Sequence, residues 1–208
     1  MTKEEIISKF NLYVDNSTEL SVAEESDLFE KIVKKIAMDR PWEALKTQAS
    51  GSILFDGTNY YITLPTDFAF FTENNQSTDN ASPKVIFVGS NYSPYQIINF
   101  SDRRQYRNSD GYAYLDLANS KIVFTGNPSG NGSTYEFDYC KVPADSGLTD
   151  TPSFPPARFH DLIAHLMAVE ENIIEQFPKA QSYAPENQTQ ADKIFKDLCY
   201  WNSQLRCE

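Results

Sequence analysis

The chain has 208 residues, enough for one domain or a compact pair of domains with a sizeable core. Its net charge of -11 and pI near 4.6 argue against a sequence-reading nucleic-acid binder, because phosphate contacts require a basic face. The chain contains no apolar run of membrane-spanning length and no hydrophobic signal segment at its N-terminus, so we expect neither a membrane span nor secretion. Cys140, Cys199 and Cys207 are scattered, which predicts free thiols in a reducing cytoplasm.

Two amphipathic helices are predicted in the first part of the chain. Thr2 is a candidate cap for a short helix from Lys3 to about Tyr13. Ser21 and Glu24 have the spacing of a capping box, in which each side chain satisfies a backbone amide of the other residue. The second helix should carry one apolar stripe formed by Val22, Leu28, Phe29, Ile32, Val33, Ile36 and Ala37.

A proline interrupts this second helix. The ring of Pro41 disfavours helical geometry at Arg40, so we expect the helix to end near Asp39. A further helical turn should then run from Pro41 to Thr47, with Trp42 among its apolar residues.

The middle of the chain changes to alternating periodicity, which predicts strands. A turn signal at Asp56–Asn59 should join two of them in a hairpin. Glu73–Pro83 is almost entirely polar and should form a long exposed loop. The predicted set is six or seven antiparallel strands, drawn from Ser52–Phe55, Tyr60–Leu64, Lys84–Gly89, Tyr95–Asn99, Tyr112–Leu117, Lys121–Thr125 and Thr134–Val142.

Two more amphipathic helices, Ala157–Phe177 and Pro185 to about Leu205, should follow a proline-rich linker. Helices on both sides of a sheet most simply pack together as one bundle. The predicted fold class is therefore α+β, with an antiparallel β-sandwich or open barrel inserted into a helix bundle. The predicted domains are a helical bundle domain of residues 1–48 plus 156–208 and a β-rich domain of residues 49–155.

The sequence predicts no catalytic residue, no cofactor and no metal site. Gly126–Thr134 is rich in glycine, but it lacks the lysine of a phosphate-binding loop and joins two strands, which favours a hairpin loop. His160 and His165 are five residues apart, about 140° around a helix, whereas zinc on a helix favours a spacing of four. A structural or surface role is favoured for both histidines.

Carboxylates and nucleophiles give no stronger indication of catalysis. Asp102, Glu136 and Asp138 are candidates for a carboxylate pair, but strand alternation puts the last two on one face, where water is the favoured partner. No serine or cysteine lies in a nucleophile motif. The chain has no enzymatic signature.

A basic cluster stands out in this acidic chain. Arg103, Arg104 and Arg107 surround Tyr106, and two interpretations stay open. The cluster is either an anchor in a protein interface, which arginine and tyrosine suit, or a set of intrachain salt bridges.

Aromatic residues give a second candidate contact surface. Phe70 and Phe71 end the run Phe68–Phe71 beside the predicted loop, where exposed rings would favour a protein contact.

Several short sequence segments resemble those of a family of tailed-bacteriophage head-to-tail connector proteins, of the adaptor or tubular-tail type. The similarity runs over most of the chain and contains no catalytic motif. It is carried by Leu12–Asp15, Thr18–Ser21, Met38–Glu43, Leu64–Phe68, Asn99–Arg104, Tyr135–Tyr139 with Val142–Pro143, and Phe159–Asp161.

The resemblance implies a non-enzymatic virion protein that assembles in the host cytoplasm. Such a subunit would form a ring, commonly of twelve copies, with its helices against the portal protein and its β-domain toward the next tail component, a nozzle or stopper. Genomic DNA would pass through without sequence-specific binding, which suits an acidic wall. In such a ring we expect Trp42 to remain uncovered and to contact a neighbouring subunit.

Two other function classes remain open from the residues themselves. The aromatic residues and long loops also fit an intracellular carbohydrate- or peptide-binding module. An enzyme is the third alternative, and the two histidines are the residues on which it would depend.

Overall fold

The structure is a computed structural model, and it describes residues 1–15, 18, 20–72, 85–128, 133–175 and 180–205. The fold is α+β, as the sequence predicts. The chain divides into two compact units: a helical unit formed by Met1–Leu45 with Val142–Glu208, and a β-unit formed by Lys46–Lys141. The predicted loop Glu73–Pro83 lies outside the described residues, as does the centre of the glycine-rich loop.

The described residues of the helical unit form four helices: α1 (Lys3–Tyr13), α2 (Val22–Ala37), α3 (His160–Glu175) and α4 (Ala180–Leu205). Both predicted caps are confirmed, and each is a complete capping box, Thr2 with Glu5 and Ser21 with Glu24. Helix α3 contacts each of the other three helices. Buried apolar side chains of these helices include Ile6, Phe10, Phe29, Ile32, Leu162, Ile163, Met167 and Leu198.

Three local predictions in the helical unit are wrong. The helical turn predicted up to Thr47 is a single 3-10 turn at Glu43–Leu45, because a strand already begins at Lys46. Val22 does not join the apolar stripe, since it is 67% exposed in the first turn of α2. Helix α4 begins before its predicted start and contains Pro185, although a proline there removes one backbone donor.

The proline-rich segment that precedes α3 is bound to the start of α1. The backbone amide of Lys3 donates to the carbonyl of Asp150 at 2.9 Å. Lys3 Nζ also lies 2.6 Å from Glu30 Oε1, and their side chains are only 3% and 13% exposed. Ser146 completes this buried ion pair, because its carbonyl accepts from Lys3 Nζ and its amide donates to Glu30.

The described β-unit is one sheet of nine strands in the order β1, β9, β5, β6, β7, β8, β3 and β2, with β4 also paired to β9. The strands are β1 (Lys46–Ser52), β2 (Leu54–Phe55), β3 (Tyr60–Thr63), β4 (Phe68–Phe71), β5 (Val85–Val88), β6 (Ser93–Ile98), β7 (Tyr112–Asp116), β8 (Lys121–Phe124) and β9 (Thr134–Lys141). The prediction of six or seven antiparallel strands is wrong in two respects. The described residues form nine strands, because β1 and β4 were not predicted, and one pair of strands is not antiparallel. Strands β6 and β7 are parallel, because the chain between them returns to the same end of the sheet.

The sheet nearly closes on itself in a barrel-like form. Only Ile53 separates β1 from β2, so the two strands at opposite ends of the order are consecutive in the chain. Strand β1 pairs with β9 along its whole length, and Lys46 stands opposite Cys140. The interior is lined by Ile62, Leu64, Phe71, Ile86, Val88, Tyr95, Ala113, Ile122, Phe124, Phe137 and Tyr139.

The predicted hairpin between β2 and β3 is confirmed. Oδ1 of Asp56 accepts from the amides of Thr58 and Asn59, at 3.0 and 2.8 Å. Gly57 has a φ of +95°, which favours glycine in this turn. Among the described helices, none is long and apolar enough to cross a membrane.

Candidate protein interface

The predicted basic cluster lies in the connection between β6 and β7. It begins in a short 3-10 helix, Phe100–Arg104. The guanidinium of Arg103 donates to the Phe100 carbonyl at 2.7 Å and stacks 3.7 Å from the centroid of the Phe100 ring. That ring in turn meets Tyr114 edge-on at 5.6 Å. Arg103 is therefore held in place by its own segment and by a neighbouring strand.

All three arginines of the cluster line one open cleft of about 650 Å³. Other parts of the lining come from the β2–β3 turn, from Tyr114 on β7 and from the loop that follows β8. Asp110 is the one acidic residue among the described residues that line it. The other lining residues are Thr58, Asn59, Tyr60, Asn108, Phe124, Thr125, Gly126 and Asn127. We refer to this feature as the arginine cleft.

The turn after the arginines is fixed to the strand β8 and its following loop. The Asn108 amide donates to the Thr125 carbonyl at 2.8 Å, and the Thr125 hydroxyl donates to the Ser109 carbonyl at 2.7 Å. A Cβ on Gly126 would lie 2.9 Å from that same Ser109 oxygen, so this wall of the cleft depends on a glycine. Tyr106 packs on Tyr112 with ring centroids 4.4 Å apart.

The electrostatics separate the two interpretations of the cluster. No ion pair seen among the described residues involves Arg103, Arg104 or Arg107, and those seen, such as Lys3 with Glu30, join residues of the helical unit. Intrachain salt bridges within the described part of the chain therefore do not account for the arginines. The charge of Arg103 acts on the neighbouring Tyr114. Burial and the Asp116 carboxylate raise the pKa of Tyr114, and the Arg103 guanidinium opposes that rise.

A comparison with known protein families decides what kind of protein carries this cleft. The family model described as SU10 adaptor protein matches residues 1–204. The chain belongs to the SU10 adaptor protein family. The resemblance to phage head-to-tail adaptors is thereby confirmed, and adaptors of this kind are structural components of the virion. No curated protein sequence matches the chain significantly.

Trp42 does not lie on the surface of this adaptor. It is fully buried in the helical unit, where its indole Nε1 donates to the Ile36 carbonyl at 2.9 Å. Its ring contacts Phe154 at 5.4 Å and the edge of Phe195 at 6.1 Å. The expectation that Trp42 is left uncovered is wrong, because two aromatic residues distant in sequence cover it.

The two phenylalanines of the second predicted surface have different environments in the adaptor. Phe71 is 5% exposed and contacts Phe68 and Phe137, at 4.9 and 5.6 Å between centroids. The expectation of an exposed ring is wrong for Phe71, which belongs to the sheet interior. Phe70 is half-buried on the same strand, β4, and stays a candidate contact residue.

The histidines take structural positions. His160 is fully buried, with Nε2 3.0 Å from the Pro155 carbonyl, and burial lowers its pKa. His165 stacks flat on Tyr13 at 4.3 Å, and its Nδ1 lies 2.8 Å from Oδ1 of Asn187. Within the described residues no three potential ligands form a metal-binding group.

The candidate carboxylates bond to their local neighbours. Glu136 accepts from Gln48 of the adjacent strand at 2.8 Å, and Asp102 accepts from Asn99 and Ser101. Asp138 is exposed to solvent, as strand alternation predicts.

Proposed function

We propose that this adaptor is a non-enzymatic structural subunit that joins the phage capsid to the tail. It assembles in the host cytoplasm as a ring of twelve copies beneath the portal protein and binds the next tail component, a nozzle or stopper. Genomic DNA passes through the ring without sequence-specific binding. The single observation that carries this proposal is the family match over residues 1–204.

The division of the chain supports separate roles for its two units, which we take as two domains. In this proposal the helical unit forms a bundle that packs against its neighbours and the portal. The β-unit presents its loops toward the tail. The exposed hairpin between β2 and β3 fits such a contact, because Leu54 and Phe55 are 45% and 55% exposed.

The charge of the subunit supports passage of DNA. Acidic residues outnumber basic ones by 29 to 18, so a ring of such subunits carries a strongly negative potential. A wall of that sign does not retain the phosphate backbone.

Co-expression with the portal protein of the same phage tests the proposal. We expect a complex on size-exclusion chromatography and twelvefold rings on the portal by electron microscopy. An adaptor that stays monomeric and never joins the portal would contradict the proposal. The alternative of a carbohydrate- or peptide-binding module predicts instead a ligand-induced rise in melting temperature without ring assembly.

A further inference from the structure

We propose that the arginine cleft of one subunit binds carboxylates on the helical unit of a second copy of this chain. The inference rests on the proposed ring and adds to it the chemistry of one contact between copies. It names Arg103, Arg104 and Arg107 as the donors and acidic side chains of the helical unit as the acceptors.

The cleft offers cations that the described chain does not neutralise. Arg104 and Arg107 are exposed, and Arg103 is already oriented by its contacts with Phe100. A guanidinium held in one orientation loses little freedom when it binds, and its fork of donors matches a carboxylate. Tyr60 and Tyr114 add rigid aromatic walls of the kind that favour protein contacts.

The distribution of charge indicates which surface the cleft meets. Residues 1–45 and 142–208 hold 20 of the 29 acidic residues but only 11 of the 18 basic residues. Internal ion pairs, such as Lys31 and Lys35 with Glu170, use acidic as well as basic residues, so the helical unit keeps an excess of nine acidic residues. The β-unit is close to neutral, so its arginines and the helical unit have complementary charge.

Assembly of like-charged copies also favours this pairing. Each chain carries a net charge of -11, so two copies repel one another at a distance. A contact that joins three arginines to carboxylates offsets that repulsion locally and sets the orientation of the copies.

Nucleic acid is a poorer occupant than protein. The cleft contains the Asp110 carboxylate, and Asp56 and Asp116 lie close enough to affect the titration of Tyr114 on its wall. A continuous phosphate backbone would meet these acids as well as the arginines, whereas separate carboxylates on a folded surface can avoid them. Repulsion from the whole acidic chain acts against DNA in the same direction.

A charge reversal tests the contact. Arg107→Glu should weaken self-association at least about tenfold, measured by sedimentation at several salt concentrations. Lys141→Glu is the matched control, because Lys141 is also exposed on the β-unit and the change in net charge is equal. Circular dichroism should show that both variants are folded. Equal self-association of the two variants would overturn the proposal.

Cross-linking identifies the partner surface. In the variant Arg107→Lys, the new amine can be joined by a carbodiimide to any carboxylate within ion-pair distance. Light chains of this variant are mixed with heavy-isotope wild-type chains, and the linked peptides are read by mass spectrometry. We expect light-to-heavy links from position 107 to acidic residues in 1–45 or 142–208. Links confined to one chain, or to the β-unit of the second copy, would overturn the proposal.

Two further readouts separate this inference from the proposed function. Rings on the portal that form equally well with Arg107→Glu would overturn the inference and leave the adaptor function intact. Light-to-heavy links in a chain that never binds portal would support the inference and contradict the function.

A labelled DNA duplex tests the alternative occupant of the cleft. A duplex that binds wild type but not Arg107→Glu, with self-association unchanged, would assign the cleft to nucleic acid and overturn the proposal.

Discussion

The phenol of Tyr139 donates a 2.8 Å hydrogen bond to Oδ1 of Asp67 and so links β9 to the turn that precedes β4. Tyr139 is 6% exposed and contacts the rings of Phe68 and Phe137, with centroid distances of 5.8 and 5.9 Å. Burial, with help from the Asp67 carboxylate, raises the pKa of Tyr139 to about 12. Deprotonation of this phenol at alkaline pH removes the donor of the bond to Asp67 and places a charge in the sheet interior.

Stability should fall in alkaline solution because of Tyr139. The folded chain holds the phenolic proton more tightly than the unfolded chain, whose pKa is near 10. The contribution of the protonated Tyr139 phenol to the free energy of unfolding is fully present below about pH 10 and is lost as the pH rises toward 12. Urea titrations between pH 9 and pH 11.5 should show a steeper fall for wild type than for Tyr139→Phe. Parallel curves for the two proteins would contradict this assignment.

Trp42→Ala should destabilise the helical unit rather than block assembly of a folded chain. The substitution removes a fully buried indole and its hydrogen bond to Ile36, and large-to-small changes of this kind cost about 3–5 kcal/mol. Tyr200→Ala is the control, because Tyr200 is 68% exposed. Chemical denaturation measures both changes. A loss below about 1 kcal/mol for Trp42→Ala would show that the helical unit refills the space.

Ile32→Asp should unfold the helical unit, because Ile32 is fully buried on α2 and an aspartate there would bury an unpaired charge. Val22→Asp makes a similar change on the same helix, at a residue that is 67% exposed in the first turn. A carboxylate is favourable at a helix N-terminus, so that variant should remain folded. Circular dichroism distinguishes the two, and a folded Ile32→Asp protein would contradict the burial.

The Lys3 and Glu30 pair should show strong coupling. Lys3→Met leaves the Glu30 carboxylate without its buried cation and should cost about 3–5 kcal/mol. The double variant Lys3→Met with Glu30→Met removes both charges and should lose less stability than Lys3→Met alone. A double-mutant cycle by urea denaturation gives the coupling energy. Additive effects would show that the pair contributes little.

Local signals predicted the starts of α1 and α2. The cap residues Thr2 and Ser21 lie three positions before their glutamates, and this spacing is visible in the sequence because the interaction is within one turn. The β2–β3 hairpin follows from Asp56 and Gly57 for the same reason.

Long-range pairing could not be predicted in the same way. Strand β1 has the sequence KTQASGS, which is poor in strand-forming residues, and it is a strand because it pairs with β9 along its full length. The parallel register of β6 and β7 depends on a connection whose path carries no periodic signal.

The candidate site was also predictable only in part, since its arginines are close in the sequence and its other residues are not. The closeness of Arg103, Arg104 and Arg107 in the sequence identified the cluster, but the walls supplied by Asn59 and Gly126 become its neighbours only through the pairing of the strands. Burial of Trp42 likewise depends on Phe154 and Phe195, which no spacing rule connects to it.

The pairing of Lys46 with Cys140 brings the two ends of the β-unit side by side. The chain enters the sheet at β1 and leaves it at the end of β9, so the two crossing points lie side by side, about 5 Å apart by the usual spacing of paired strands. A gap of that size can be bridged by a short turn. The whole β-unit could thus be replaced by a few turn residues that join Leu45 to Val142. We expect a chain shortened in this way to fold as the helical unit alone.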